Sequence, residues 1–197
     1  MEPTRTADLL RPVLDDLAGV LAATDDDQLA APTPCTEQNV EQLQTHVVGW
    51  LTTFAAGFAD PEGKAPTADL DGFERPDDPA AALTAAARQL DEAVRDGAGE
   101  RALSLGGSAM PGEMAMSMIL WEYLVHGWDL ARATGRPWQP DDAAAAAALE
   151  FAPGMLTPDY QGEGKAFGPP VAVADDAPTM DRLLGVSGRD PNWSPPG

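Results

Sequence analysis

The chain contains two histidines, His46 and His126, and both fall on stretches whose apolar residues recur with helical spacing. His46 lies between Leu43 and Trp50, at the edge of an apolar stripe. His126 follows Glu122 by four positions. Residues four apart stack one above the other on a helix, so Glu122-x-x-x-His126 can aim a carboxylate and an imidazole at one point. The other charges between Pro111 and Gly135 have simpler roles. Glu113 suits a helix start, and Asp129 is near Arg132. Glu122 has no basic residue within two turns of its own helix. A buried carboxylate without a partner is costly, so it must be neutral, paired with another element or bound to a cation. His46, Glu122 and His126 around a divalent cation would make a three-ligand site with open positions, the mark of a catalytic rather than a structural metal. Zinc is the first expectation, although mixed imidazole and carboxylate sites also accept nickel, iron or manganese. A plainer reading stands beside this one: Glu and His four apart also arise by chance and bond each other, and a histidine on an apolar face is commonly a satisfied core residue.

Other residues offer less. Cys35 is the sole cysteine, which excludes an internal disulfide and a Cys-only zinc site. It could act as a nucleophile if an adjacent helix start lowered its pKa, or it could simply line a turn. Asp129 could orient His126 from behind, pair with Arg132 or cap a loop. Met114, Met116, Met118, Trp121 and Trp128 could wall an apolar pocket, but at helical spacing such residues are more often core. Asp25-Asp26-Asp27 and Asp141-Asp142 lack the pattern of a calcium loop and suit helix caps. Lys165 is isolated. The sequence holds no phosphate-binding glycine loop, no Ser-His-Asp arrangement and no redox cysteine pair.

The elements that must position these residues are helices. Leu9, Leu10, Val13, Leu14, Leu17, Val20 and Leu21 predict a helix over 7–22, starting or kinking at Pro12. Thr36 is expected to cap a second helix with Glu37 in its first turn and Val40, Leu43, Val47, Trp50, Leu51 and Phe54 as its stripe. Residues 57–78 read as a loop. Asp78-Pro79 opens a third helix ending at Gly97-Ala98-Gly99, and Ser104–Gly107 reads as a connector. The most apolar helix runs from Pro111 to a glycine cap at Gly135. Another begins near Pro140-Asp141-Asp142 and ends about Phe151. The expected fold is therefore all-α: a four-helix bundle with a short extra helix over residues 1–152. Residues 153–197, rich in Pro, Gly and Asp and helical only at Met180–Leu184, would form an irregular tail packed on it. No stretch alternates long enough to suggest a sheet.

Composition narrows the partners. The chain has 197 residues, 12 of them Lys or Arg and 32 Asp or Glu, for a formal net charge of −20. Such a surface repels phosphate backbones and anionic lipid heads, so nucleic acid and membrane are excluded as expected partners. No long uninterrupted apolar span and no signal-peptide pattern appear, which makes the cytoplasm the expected location.

Three segments carry a family resemblance: Pro32-Thr33-Pro34-Cys35-Thr36-Glu37; Val40-x-x-Leu43-x-x-His46-x-x-Gly49; and Glu122-x-x-x-His126-Gly127-Trp128-Asp129 continuing to Gly135. Together they resemble the DinB-like superfamily, in the branch related to the metal-binding domain of mycothiol-dependent maleylpyruvate isomerase. The closing segment, Phe167-Gly168-Pro169-Pro170-Val171 with Gly188-Arg189-Asp190-Pro191-x-Trp193, is similar to that of small actinobacterial proteins of this branch. The resemblance implies a four-helix bundle whose divalent metal is held by His46, Glu122 and His126. It also implies a transferase or isomerase that uses a low-molecular-weight, mycothiol-like thiol on a small electrophile. Gln38 stands where the family usually has tryptophan, and the chain is too short for the additional C-terminal domain of the full-length isomerase. Two other functions remain open: a non-catalytic metal-binding or sensing protein, and a bundle repurposed for another small-molecule reaction. A homodimer is compatible with each.

Overall fold

The computed structural model describes residues 1–67, 72–158, 161–163 and 168–195. Lys165 and Phe167 lie outside these residues. Among the described residues six α-helices follow in order: α1 Pro3–Ala22, α2 Val40–Ala59, α3 Pro79–Arg95, α4 Gly112–Thr134, α5 Asp142–Met155 and α6 Thr179–Val186. α1 packs against α3 and α4, and α2 packs against the same two helices. α1 and α2, consecutive in sequence, thus face each other across the diagonal of a four-helix bundle. The long connection from α1 to α2, residues 23–39, makes this crossover feasible. α5 packs on α4, and α6 packs on α5.

Several boundaries depart from the sequence reading for identifiable reasons. α1 begins at Pro3 and passes through Pro12 without a break. Pro12 is on the exposed face, where the carbonyl it leaves unbonded can reach water. Asn39, not Thr36, caps α2. Its side chain accepts from Gln42 N at 2.9 Å, while Gln42 Oε1 accepts from Asn39 N at 3.0 Å, and Glu41 supplies the first-turn charge. α5 continues past Phe151 and contains Pro153. Residues 103–110 form a small antiparallel hairpin, β1 Leu103–Leu105 and β2 Ser108–Met110, in place of a plain connector. Its two-residue turn holds Gly106 at φ 53° and Gly107 at φ 91°, the left-handed pair that twists a tight hairpin correctly.

α2 and α4 run antiparallel. His46, early in α2, faces Glu122 at the middle of α4, whereas Arg101, ahead of the hairpin that leads into α4, donates to the carbonyls of Phe58 and Asp60 at the far end of α2. The two helices are pinned by Tyr123, which is fully buried and donates its hydroxyl to Val47 O at 2.7 Å. Both ends of that bond adjoin candidate ligands, Glu122 and His46. Tyr123→Phe removes the donor and keeps the ring. It is expected to cost about 1 kcal/mol, or roughly 2–4 °C in Tm for a chain of this size, measurable by thermal denaturation.

Candidate metal centre

His46 comes from α2; Glu122 and His126 come from successive turns of α4. His46 Nε2 and His126 Nε2 each lie 3.3 Å from Glu122 Oε1. The imidazole rings are 5.1 Å apart between centroids and inclined at 72°. One ligand atom from each of the three residues falls within 4.8 Å of the other two. The three side chains therefore converge as their spacing implies, on a partly exposed strip between the helices.

The donor set fits a divalent ion. Two imidazole nitrogens and one carboxylate oxygen suit zinc and its neighbours, and 3.3 Å separations match donors sharing one ion through bonds of about 2.0–2.2 Å. The far side of His126 is also arranged for this. Its Nδ1 lies 3.0 Å from Asp129 Oδ2, and Asp129 is fully buried. A carboxylate behind a histidine fixes the ring and its tautomer, leaving the Nε2 lone pair for a cation.

Asp129 is balanced by Arg189, not by Arg132. Arg189 Nη2 lies 3.1 Å from Asp129 Oδ2, and Arg189 Nη1 donates to Ser187 O at 3.0 Å. Ser187 Oγ in turn meets Trp121 Nε1 at 2.9 Å in the core. Arg132 instead donates to Trp193 O at 3.0 Å and lies over the Trp128 ring. Sequence reasoning misses Arg189 as a partner because it lies 60 positions from Asp129. The available signal is that a buried aspartate needs a cation and that Gly188-Arg189-Asp190-Pro191 closes the chain's motif set.

The electrostatics follow from these contacts. Burial by itself would raise the Glu122 carboxyl, but the bonds from His126 and His46 prevail and hold it well below the usual carboxylate range. Burial by itself would lower His126, yet Asp129 and Glu122 on its two nitrogens raise it to about 9. Cys35 also sits here, its Sγ within 4.8 Å of ligand atoms of His126 and Asp129. Burial pushes its thiol up, with Arg189 only partly offsetting this, and the thiol donates to Gln38 Oε1 at 3.8 Å. The lowered pKa considered from a nearby helix start is not realised, because Asn39 begins the helix and Cys35 lies in the preceding turn.

The methionine and tryptophan set divides. Met116, Trp121 and Trp128 are buried core, while Met114 and Met118 share the partly exposed strip with Glu122. Gly127, beside His126, is needed for packing: a Cβ there would run into the Trp138 ring. Asp141 caps α5 through Ala143 N at 3.0 Å, in keeping with the cap reading.

Residues 10–131 match the family described as mycothiol maleylpyruvate isomerase N-terminal domain. The chain belongs to that family. It is 33% identical over 178 residues to uncharacterized proteins of two Mycobacterium tuberculosis strains, covering 89% of this chain and 92% of each relative. The crystal structure of the mycothiol-dependent maleylpyruvate isomerase has the same fold, with a TM-score of 0.67 at 14% identity, across 98% of this chain and 91% of that one. Among the described residues no helix is long and apolar enough to cross a membrane.

Two outcomes are expected. Arg189→Ala leaves Asp129 buried without its cation and should cost roughly 3–5 kcal/mol in denaturant unfolding, whereas Arg132→Ala, at a more exposed position, should cost far less. In metal-free protein, the raised His126 pKa contributes stability that is complete below about 6.5. That contribution is lost as pH rises through about 9. Tm of the metal-free protein should therefore fall over that window, and His126→Ala should flatten the fall.

Proposed function

We propose that this protein is a cytoplasmic, divalent-metal-dependent transferase or isomerase that uses a low-molecular-weight, mycothiol-like thiol on a small electrophile. One observation carries the reading: His46, Glu122 and His126 converge on a partly exposed strip, with Asp129 and Arg189 set behind His126 to orient it. Membership of a family named for a mycothiol-dependent isomerase supports the thiol.

His46, Glu122 and His126 would hold a divalent metal, which would supply Lewis acidity to lower the pKa of an external thiol. His46 and His126 act as neutral nitrogen donors and Glu122 as the anionic one; none serves as an acid or base. Asp129 accepts a hydrogen bond from His126 Nδ1 and so orients the ring, and Arg189 pairs with Asp129 from the other side. Cys35, held as a thiol, is not the nucleophile. The choice between the two reaction types follows from simple chemistry. A thiolate adding to a conjugated double bond forms a carbon–sulfur bond and leaves a carbon–carbon single bond that can rotate. Expelling the thiolate restores the double bond and gives isomerisation; protonating the adduct and keeping the sulfur gives transfer.

The test is metal analysis of protein purified without a nickel column, followed by titration with mycothiol and a panel of epoxides, quinones and unsaturated acids including maleylpyruvate. Bound metal, thiol affinity and thiol-dependent turnover are expected. A chelator should lower Tm, since an ion bound only to the folded state stabilises it. His126→Ala should abolish that sensitivity. Glu122→Gln should lose metal and turnover together, while Cys35→Ser keeps turnover. Metal without thiol affinity would favour a binding or sensing role. Turnover lost in Cys35→Ser but kept in Glu122→Gln would overturn the mechanism.

A further inference from the structure

The strip that carries the triad extends beyond it in one direction. On α4, Met114, Met118, Glu122 and His126 recur at every fourth position and share a face. Met114 is 37% exposed, and Met118 is partly buried. On α2, Trp50 lies one turn beyond His46, with its ring 6.5 Å from the imidazole. Because the helices are antiparallel, Trp50 extends away from His46 in the direction in which Met118 and Met114 extend away from Glu122.

Trp50 is the middle of a built aromatic ledge. Its ring stacks on Phe54 at 5.3 Å and 24°, and it meets Phe73 edge-on at 5.8 Å and 77°. Phe73 belongs to the α2–α3 connection and rests directly on Gly49, where a Cβ would lie 2.5 Å from the Phe73 ring. The glycine three residues after His46 thus lets this connection close onto the helix. Arg75 fastens it further by donating to Gln44 Oε1 at 3.1 Å.

We propose that this ledge is the electrophile's subsite and that it takes substrates with a flat, uncharged, conjugated body, such as an aryl or quinone ring. The proposal rests on the thiol-dependent reading of the triad and names its substrate class. Aromatic faces and polarisable thioethers favour π-systems over saturated chains. Charge argues against an anionic body. The chain carries a net charge of −20. Lys64 of the adjoining connection is paired with Glu62, and the Arg75 Nε is turned onto the Gln44 amide oxygen. An electrophilic carbonyl or alkene at the triad end would leave the rest of the molecule lying along Trp50 and Met118.

The test uses the full chain, metal-loaded, with two unreactive probes: 2-naphthamide, which is uncharged, and naphthalene-2-sulfonate, an anion of the same shape and a poor metal ligand. Calorimetry and ligand-observed NMR should show the amide binding at least about tenfold more tightly than the sulfonate. Trp50→Ala should weaken the amide roughly fivefold to tenfold, the loss expected for one aromatic face. Trp50→Phe should restore most of that affinity. Gly49→Ala, which displaces Phe73, should weaken it with α-helical content unchanged. Equal affinity for the two probes, or amide affinity within about twofold of wild type in both Trp50→Ala and Gly49→Ala, would overturn the subsite; that margin is the small end expected for an aromatic contact. Glu122→Gln separates the two readings. Amide binding that persists when this variant has lost its metal supports the ledge, and absence of metal or thiol affinity in the wild type removes the thiol mechanism alone.

Discussion

A carboxylate carried into the interface of two largely apolar helices has to be met by positive charge or by strong donors. In this bundle Glu122 is met by His46 from α2 and by His126 one turn along α4. Meeting that requirement sets the relation of the two helices. They come close at one level, and Tyr123 holds that level by bonding Val47 O. Only a glycine at position 127 lets Trp138 pack beside His126, and only a glycine at 49 lets Phe73 close beside Trp50. The small residues flanking the histidines are therefore part of the construction of the site, not incidental to it.

The second anion, Asp129, explains why the chain's end is folded back. It is completely buried, and Arg189 is the cation that makes this tolerable. Arg189 is itself tied to Ser187, which bonds Trp121 in the core. This arrangement fixes the protonation of His126 in two alternative ways. With no cation at Nε2, carboxylates on both nitrogens favour the imidazolium, which is why its pKa rises to about 9. With a cation at Nε2, Arg189 already balances Asp129, so the ring can be neutral at no further cost to the buried aspartate. A divalent ion would take the place of a proton.

Much of this is legible in the amino-acid sequence. A chain with two histidines leaves few ways to build an imidazole site, and four-residue spacing puts Glu122 and His126 on one face without tertiary information. The absence of a base near Glu122 on its own helix points to another element, which proves to be α2. The features that stay hidden share a cause. Arg189 meets Asp129 only because the tail wraps back, and no local pattern encodes a contact over 60 positions. The hairpin at 103–110 escapes notice because strands of three residues are too short for alternation to register. Thr36 and Asn39 are both good caps, and the reciprocal bond of Gln42 with Asn39 decides between them. Among Met114, Met116, Met118, Trp121 and Trp128, burial alone separates the core members from Met114 and Met118.

The central claim is that His46, Glu122 and His126 hold a divalent ion with a position left open for an external thiol. X-ray absorption at the metal edge tests it directly, on zinc-loaded protein before and after addition of mycothiol. The account predicts nitrogen and oxygen scatterers alone at first, with imidazole signatures, at about 2.0–2.2 Å. It then predicts a sulfur scatterer at about 2.3 Å once the thiol is present, in wild type and in Cys35→Ser alike. A sulfur shell already present without added thiol and lost in Cys35→Ser, or no sulfur shell at any thiol concentration, would contradict it.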